Sequence, residues 1–316
     1  MKNILITGGI GYVGGRLTRS LSNFFNIIVS SRKKISKETL DIHGIKESIL
    51  HKNLLSKKHF PNNIDIIIHL AALNELECVK EPEKATEVNV NQTRLIIENA
   101  ISFGVINFIY FSTIHVYGNP LKGLINENSS TKPIHQYAVT HKNAEDELLN
   151  YVKKNKINGT IIRLSNSFGP PIIPSVNRWT LLVNDLCRQA IENKILKLNS
   201  DGSQYIDFIS LSDVENVVET IVKKPMNYSN KNIYNLGSGK SLKVIEMAKM
   251  IANEYENLYK SKIEIVIPNK KNIRVQNKFI YSVERLLSKN IIIANEFKTE
   301  IRNLLIFCKL HFTNFD

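Results

Sequence analysis

A chain of 316 residues with 43% apolar and 22% charged side chains has the make-up of one large or two joined globular domains, which excludes a disordered, collagen-like or coiled-coil protein. Its 42 Lys and Arg against 29 Asp and Glu leave a formal charge of +13, but the lysines lie in short pairs along the whole length (Lys33-Lys34, Lys57-Lys58, Lys153-Lys154, Lys223-Lys224, Lys270-Lys271). No aromatic-interleaved basic module accompanies them, so no nucleic-acid partner is expected.

Met1-Lys2 leads directly into a strand-like run, leaving no room for the basic and apolar parts of a signal peptide, and no later apolar stretch reaches the length of a membrane span. A cytoplasmic protein with no membrane partner is expected. Three single cysteines, Cys78, Cys187 and Cys308, form no C-x-x-C pair, so neither a disulfide framework nor a metal site is expected. Strand-like runs at 3–7, 27–30, 64–69, 108–112 and 160–164 alternate with longer amphipathic segments. A run such as Ile66-Ile67-Ile68, apolar at every position, asks for burial on both faces. The alternation therefore predicts an α/β protein with a Rossmann-type doubly wound parallel sheet. After Gly169-Pro170-Pro171 it stops, and helical segments at 179–193 and 242–255 flank shorter pieces, which predicts a smaller α/β C-terminal substrate domain. The boundaries expected are 1–168 for the dinucleotide-binding domain, with a return segment at about 205–236, and 169–204 with 237–316 for the substrate domain.

The first strand is followed by Thr7-Gly8-Gly9-Ile10-Gly11-Tyr12-Val13-Gly14 and a helix expected from about residue 15 to 22. Glycines suit this position because the turn is tight, the backbone must approach a pyrophosphate, and the helix must lie close to the strand. The free N–H groups of the helix N-terminus then face the phosphates. Gly8, Gly11, Tyr12, Val13 and Gly14 are the expected cofactor contacts. The second strand ends at Ser31-Arg32, where an NAD-selective domain offers a carboxylate to the ribose 2′-hydroxyl. A guanidinium and a hydroxyl suit a 2′-phosphate instead, so NADP(H) is favoured over NAD(H).

Further on stand His69-Leu70-Ala71-Ala72, then Phe111-Ser112-Thr113-Ile114-His115-Val116-Tyr117-Gly118, and Tyr137 on a following helix. Arg163-Leu164-Ser165-Asn166-Ser167-Phe168-Gly169-Pro170, the segment Asp201 to Asp213, and Asn235-Leu236-Gly237-Ser238-Gly239 complete the series. Together these resemble, in order and over nearly the whole chain, the extended short-chain dehydrogenase/reductase family, whose members include nucleotide-sugar epimerases, dehydratases and ketoreductases. The resemblance implies that Tyr137 moves a proton at the reacting sugar oxygen and that Thr113 hydrogen-bonds the same oxygen. It also implies cofactor contacts from Leu70, Ala71, Ala72, Asn89, Tyr137 and His141, substrate contacts from Thr113, Asn166 and Lys270, a nucleotide-sugar substrate, and a homodimer.

Three departures from the family pattern bear on chemistry. Four residues after the Tyr, where the family has Lys, stands His141; the neighbouring Lys142 lies on a different helical face. An imidazole with an ordinary pKa of about 6.5 activates a phenol less than an ammonium does. Family dehydratases carry Asp-Glu after the strand-end Thr, but here Ile114-His115 follows Thr113, which disfavours elimination and makes His115 a candidate acid/base or substrate hydrogen-bonding group. Finally, Ile206 replaces an Arg that contacts the diphosphate in many members. The expected function is NAD(P)-dependent epimerisation or keto reduction of a nucleotide sugar for surface-polysaccharide synthesis. The alternative is a catalytically weakened cofactor-binding or scaffold protein.

Overall fold

The computed structural model describes residues 1–229, 232–268 and 277–313. The chain divides into two compact units: Met1–Asn119 with Glu127–Leu164 and Val217–Asn235, and Pro120–Asn126 with Ser165–Asn216 and Leu236–Asp316. Its strands are β1 (Asn3–Thr7), β2 (Asn26–Ser31), β3 (Glu47–Leu50), β4 (Ile66–His69), β5 (Asn107–Thr113), β6 (Gly123–Ile125), β7 (Asn158–Leu164), β8 (Asn166–Phe168), β9 (Ile195–Lys197), β10 (Tyr205–Ser210), β11 (Ile233–Leu236), β12 (Ser241–Lys243), β13 (Glu264–Val266) and β14 (Phe279–Tyr281).

A seven-stranded sheet in the order β11-β7-β5-β4-β1-β2-β3 forms the first unit's centre, with parallel pairing from β3 through to β7. The order reverses between β1 and β4, and it is outside the carboxyl ends of strands at such a reversal that open α/β sheets take ligands. The sheet is parallel because its strands are apolar on both faces: Ile66, Ile67 and Ile68 are all fully buried, each worth about 1.5–3 kcal/mol of burial. Helices Gln92–Ser102 and Gln136–Lys153 cover one side, packing Ile96, Ile97, Ala100, Ala144 and Leu148 onto Leu5, Ile67, Phe108 and Ile161.

The second unit has its own core, in which Leu186, Leu196, Phe208, Met247, Ile251, Ile301 and Leu304 pack together from the helices Leu182–Glu192, Val244–Tyr259 and Phe297–Phe312 and from β9 and β10. Here β10 pairs with β8 in parallel and with β12 in antiparallel fashion. Two helix starts differ from expectation. The first helix begins at Tyr12, because Gly11 is already extended and its carbonyl accepts the Gly15 N–H at 2.7 Å. The helix expected from 179 begins at Leu182, since Trp179 lies in a turn with its indole N–H donating to the Pro174 carbonyl. Among the described residues no helix is long and apolar enough to cross a membrane, and the three cysteines are buried and unpaired.

Candidate active site

At the sheet reversal the glycine turn is shaped by its own backbone. Gly8 sits at φ 69°, where a side chain is strained, and a Cβ there would press on the Leu70 carbonyl carbon and the Ala71 nitrogen at 3.2 Å. Gly14 allows the helix to close on the turn: a Cβ would stand 2.2 Å from the Gly8 carbonyl oxygen. The first helix carries no side-chain cap and no acidic residue in its first turn, which leaves its N-terminal field open to an anion. Backbone packed against Gly8, Gly11 and Gly14 leaves no room for side chains there, and the close turn with its uncapped helix start suits an anion such as a dinucleotide pyrophosphate, which Gly8, Gly11, Tyr12, Val13 and Gly14 could hold.

Thr7 stitches the turn to the end of β4. Its Oγ1 accepts from the Leu70 and Ala71 N–H groups at 3.1 Å and lies 2.8 Å from His69 Nδ1. On the other side of the ring, Nε2 lies 2.9 Å from Thr93 Oγ1, whose hydrogen goes to the Asn89 carbonyl. Since the Thr93 hydrogen is already engaged, His69 Nε2–H must donate and Nδ1 must accept. That network holds a neutral ring, and burial pushes the His69 pKa down to about 3. Asn89, expected as a cofactor contact, is itself buried: its side chain accepts from the Leu73 N–H at 2.7 Å and donates to Thr140 Oγ1 at 3.0 Å. It sits in a π-helical turn, Glu87–Asn91, whose extra residue per turn no composition signal announces.

At the end of β2, Ser31 is half-buried and accepts from the Lys33 N–H, while Arg32 is exposed. The parallel register sets Ser31 opposite Leu50, so His51, which sequence reasoning passed over, arrives beside this strand end with Nδ1 3.2 Å from Ser30 Oγ. Burial lowers the His51 pKa, and the nearby Arg32 charge lowers it further.

The remaining site residues gather where β5 ends and the helix Gln136–Lys153 begins. Thr113, buried, caps the short helical turn Ile114–Tyr117 by accepting from the His115 N–H at 3.2 Å, leaving its own hydrogen to donate. Ile114 is buried at 3% exposure, so the position after Thr113 belongs to the core. His115 lies edge-on to Tyr137 at 6.4 Å between ring centroids and to His135 at 5.3 Å. Burial lowers its pKa first and His135 second, while Glu75 opposes them. His135 was not singled out in the sequence; it caps the helix by accepting from the Ala138 N–H and stacks on Tyr137 at 6.1 Å.

His141 follows Tyr137 by one turn, with ring centroids 4.4 Å apart. Its Nδ1 lies 2.8 Å from the Tyr110 hydroxyl, and its Nε2 is buried with no hydrogen-bond partner. Burial takes its pKa down to about 3, with His115 and His135 adding to the fall and a backbone hydrogen bond with Phe111 opposing it. A buried polar atom left open in this way fits a ligand hydroxyl. Lys142 does not take that place: it pairs with Asp146 one turn on.

In the second unit, Asn166 on β8 is half-buried and donates from Nδ2 to the Asp207 carbonyl at 3.0 Å. Ile206 packs on that unit's core. Asp207 is wholly buried, accepting from Ser238 N–H and Oγ at 3.0 Å, and burial raises its pKa to about 6. Lys270 lies outside the described residues.

Comparison with known proteins bears on what this arrangement serves. The model of a family described as the NAD dependent epimerase/dehydratase family matches residues 4–237. A dTDP-D-glucose 4,6-dehydratase from Dictyostelium discoideum is 27% identical over 277 residues, covering 80% of this chain and 62% of that protein. The chain thus spans less than two thirds of that relative. Among solved structures, a UDP-N-acetylglucosamine 4-epimerase from Methanobrevibacter ruminantium M1, in complex with UDP-N-acetylmuramic acid, matches with a TM-score of 0.82 at 19% identity and covers 97% of both chains. RMD from Pseudomonas aeruginosa, complexed with NADPH, matches with a TM-score of 0.77 at 19% identity over 98% of this chain and 100% of that one. At such identities the likeness is one of fold.

Proposed function

The chain belongs to the NAD dependent epimerase/dehydratase family, and on that footing we propose that it epimerises or reduces a nucleotide-linked sugar with NAD(P), in a route that builds surface polysaccharide. The observation that carries the reading is the meeting of Tyr137 with His141, whose buried Nε2 stands open beside it. When bound, the nicotinamide supplies two-electron redox chemistry at a sugar carbon. Tyr137 moves the proton of the hydroxyl on that carbon, and Thr113 donates to the same oxygen. His141 holds a ribose hydroxyl, and Leu70, Ala71 and Ala72 line the cofactor beside the glycine turn. His115, half-buried next to Tyr137, serves as a second proton-handling or substrate-orienting group.

Elimination of water is the disfavoured chemistry, because Ile114 is a core residue and His115 is the only titratable side chain of that pair. Ser31 and Arg32, with His51 beside them, favour NADP(H) over NAD(H). In the second unit Asn166 keeps its side-chain carbonyl for the nucleotide sugar. The test is incubation of the purified protein with UDP- and dTDP-sugars and each cofactor, with mass detection. Isomerised or reduced product is expected; product that has lost water overturns the reading. A second reading, cofactor binding without turnover, is favoured by one fact: the residue facing Tyr137 is an imidazole, and the adjacent lysine is paired elsewhere. Cofactor binding by calorimetry, with no conversion of any sugar, would identify it.

A further inference from the structure

Tyr110 lies on β5, buried beneath the site, and the proposed mechanism has not used it. Its hydroxyl meets His141 Nδ1 at 2.8 Å. A phenol brings one hydrogen and two lone pairs, and a neutral imidazole one donor and one acceptor, so this contact has two opposite polarities. In one, Tyr110 donates to Nδ1 and His141 carries its proton on Nε2. In the other, Nδ1–H donates, the phenol hydrogen is left over, and Nε2 presents a bare lone pair.

The surroundings decide between them. His69 lies against the Tyr110 ring at 6.0 Å, but both of its nitrogens are engaged with Thr7 and Thr93. Glu145, the charged group that acts on Tyr110, gives its two carboxylate oxygens to Arg163 at 2.9 and 2.7 Å. Tyr137 also acts on Tyr110, and it faces the His141 ring edge to face. Among the described residues, His141 Nδ1 is thus the acceptor left for the buried phenol hydrogen, and a buried donor without an acceptor is costly. Ionised forms offer no escape: burial raises the phenol well above its ordinary range, while burial, with His115 and His135, outweighs the backbone hydrogen bond of Phe111 and keeps the imidazole neutral.

We propose that Tyr110 is a positioning residue that locks His141 in the Nε2–H tautomer, so that the chain presents a fixed neutral donor to a ribose hydroxyl at the place where its family presents an ammonium. The proposal deepens the reading of the site given above and rests on it for the identity of the ligand. It accounts for the open Nε2, which then awaits an acceptor. It also accounts for tolerance of histidine at this position, since a ring that could flip tautomer would offer the ligand a donor only part of the time.

The test reads the tautomer in the protein without cofactor or substrate, so its result does not depend on any activity. Long-range proton–nitrogen correlation spectra of the chain labelled with 15N-histidine distinguish the two tautomers, and His141→Asn identifies the signal. A pure Nε2–H pattern between pH 5 and 8 is expected, with the Nδ1–H form appearing in Tyr110→Phe. An Nδ1–H pattern in the wild type, or a Tyr110→Phe pattern unchanged from it, overturns the proposal. The wild-type spectrum decides by itself should Tyr110→Phe fail to fold. In calorimetry, Tyr110→Phe should weaken NADP(H) binding about two- to twelve-fold, the loss of one hydrogen bond's worth of affinity. A confirmed tautomer with no cofactor binding by the wild type would leave the lock standing and overturn the functional reading alone.

Discussion

Tyr137 and His141 stand one helical turn apart on Gln136–Lys153, edge to face, with ring centroids 4.4 Å apart. Spacing of four residues puts them on one face, and burial strips the imidazole of charge, its pKa falling to about 3. The Tyr137 phenol thus has a neutral neighbour where an ammonium would have favoured its ionised form.

Replacement of Tyr137 by Phe keeps the ring and its stacking on His135 but removes the oxygen. Turnover should fall by roughly 10²–10⁴ with cofactor affinity little changed, as general acid–base catalysis predicts. Steady-state rates and calorimetry on the same preparation check both halves. Unaltered turnover would mean that another group carries the proton.

His141→Lys restores a cation on that helical face. A positive charge beside Tyr137 stabilises the phenolate, so the rising limb of the pH–rate profile should move to lower pH. Coincident profiles for the two proteins would show that the charge does not reach Tyr137.

At the end of β2, Arg32→Ala should reduce affinity for NADP(H) more than for NAD(H). A charge-assisted pair is worth about 1.5–3 kcal/mol, and Arg32 is exposed, so the loss should be about tenfold, at the low end of that range. Equal wild-type affinities for the two cofactors would remove the argument for a 2′-phosphate.

Acidification should destabilise the fold. His69 and His141 have pKa values near 3 when folded against an ordinary 6.5, so between those values the unfolded chain binds up to two more protons, and stability falls as pH drops below 6.5. Asp207 opposes them: raised from 3.8 to about 6, it binds a proton in the folded state first, which cancels one of the two between pH 6 and 3.8. From pH 6.5 to 4.5 the net loss should be about 3 kcal/mol, at about 1.4 kcal/mol per proton and pH unit. Urea midpoints at several pH values measure it; constant stability between pH 7 and 5 would refute the account, and His141→Asn should flatten the slope.

Much of the fold was legible because its signals are local. Unbroken apolar runs told of strands buried on both faces, and the glycines from Gly8 to Gly14 told of a tight turn from strand to helix, since each depends on the chain's own period and on backbone freedom at its own positions. Tyr137 and His141 could likewise be paired from spacing alone. What surrounds them could not. Tyr110 reads in sequence as one more core aromatic of a strand, and it becomes the partner of His141 because the helix Gln136–Lys153 packs across β5. His135 reads as a loop residue until the helix start turns it onto Tyr137, and His51 reaches the end of β2 only through the register of β3. The neutrality of His69 and His141 was equally hidden. A histidine's charge state is set by how much water remains around it and by which neighbours have a hydrogen to give, and both are decided when residues far apart in the chain are brought together.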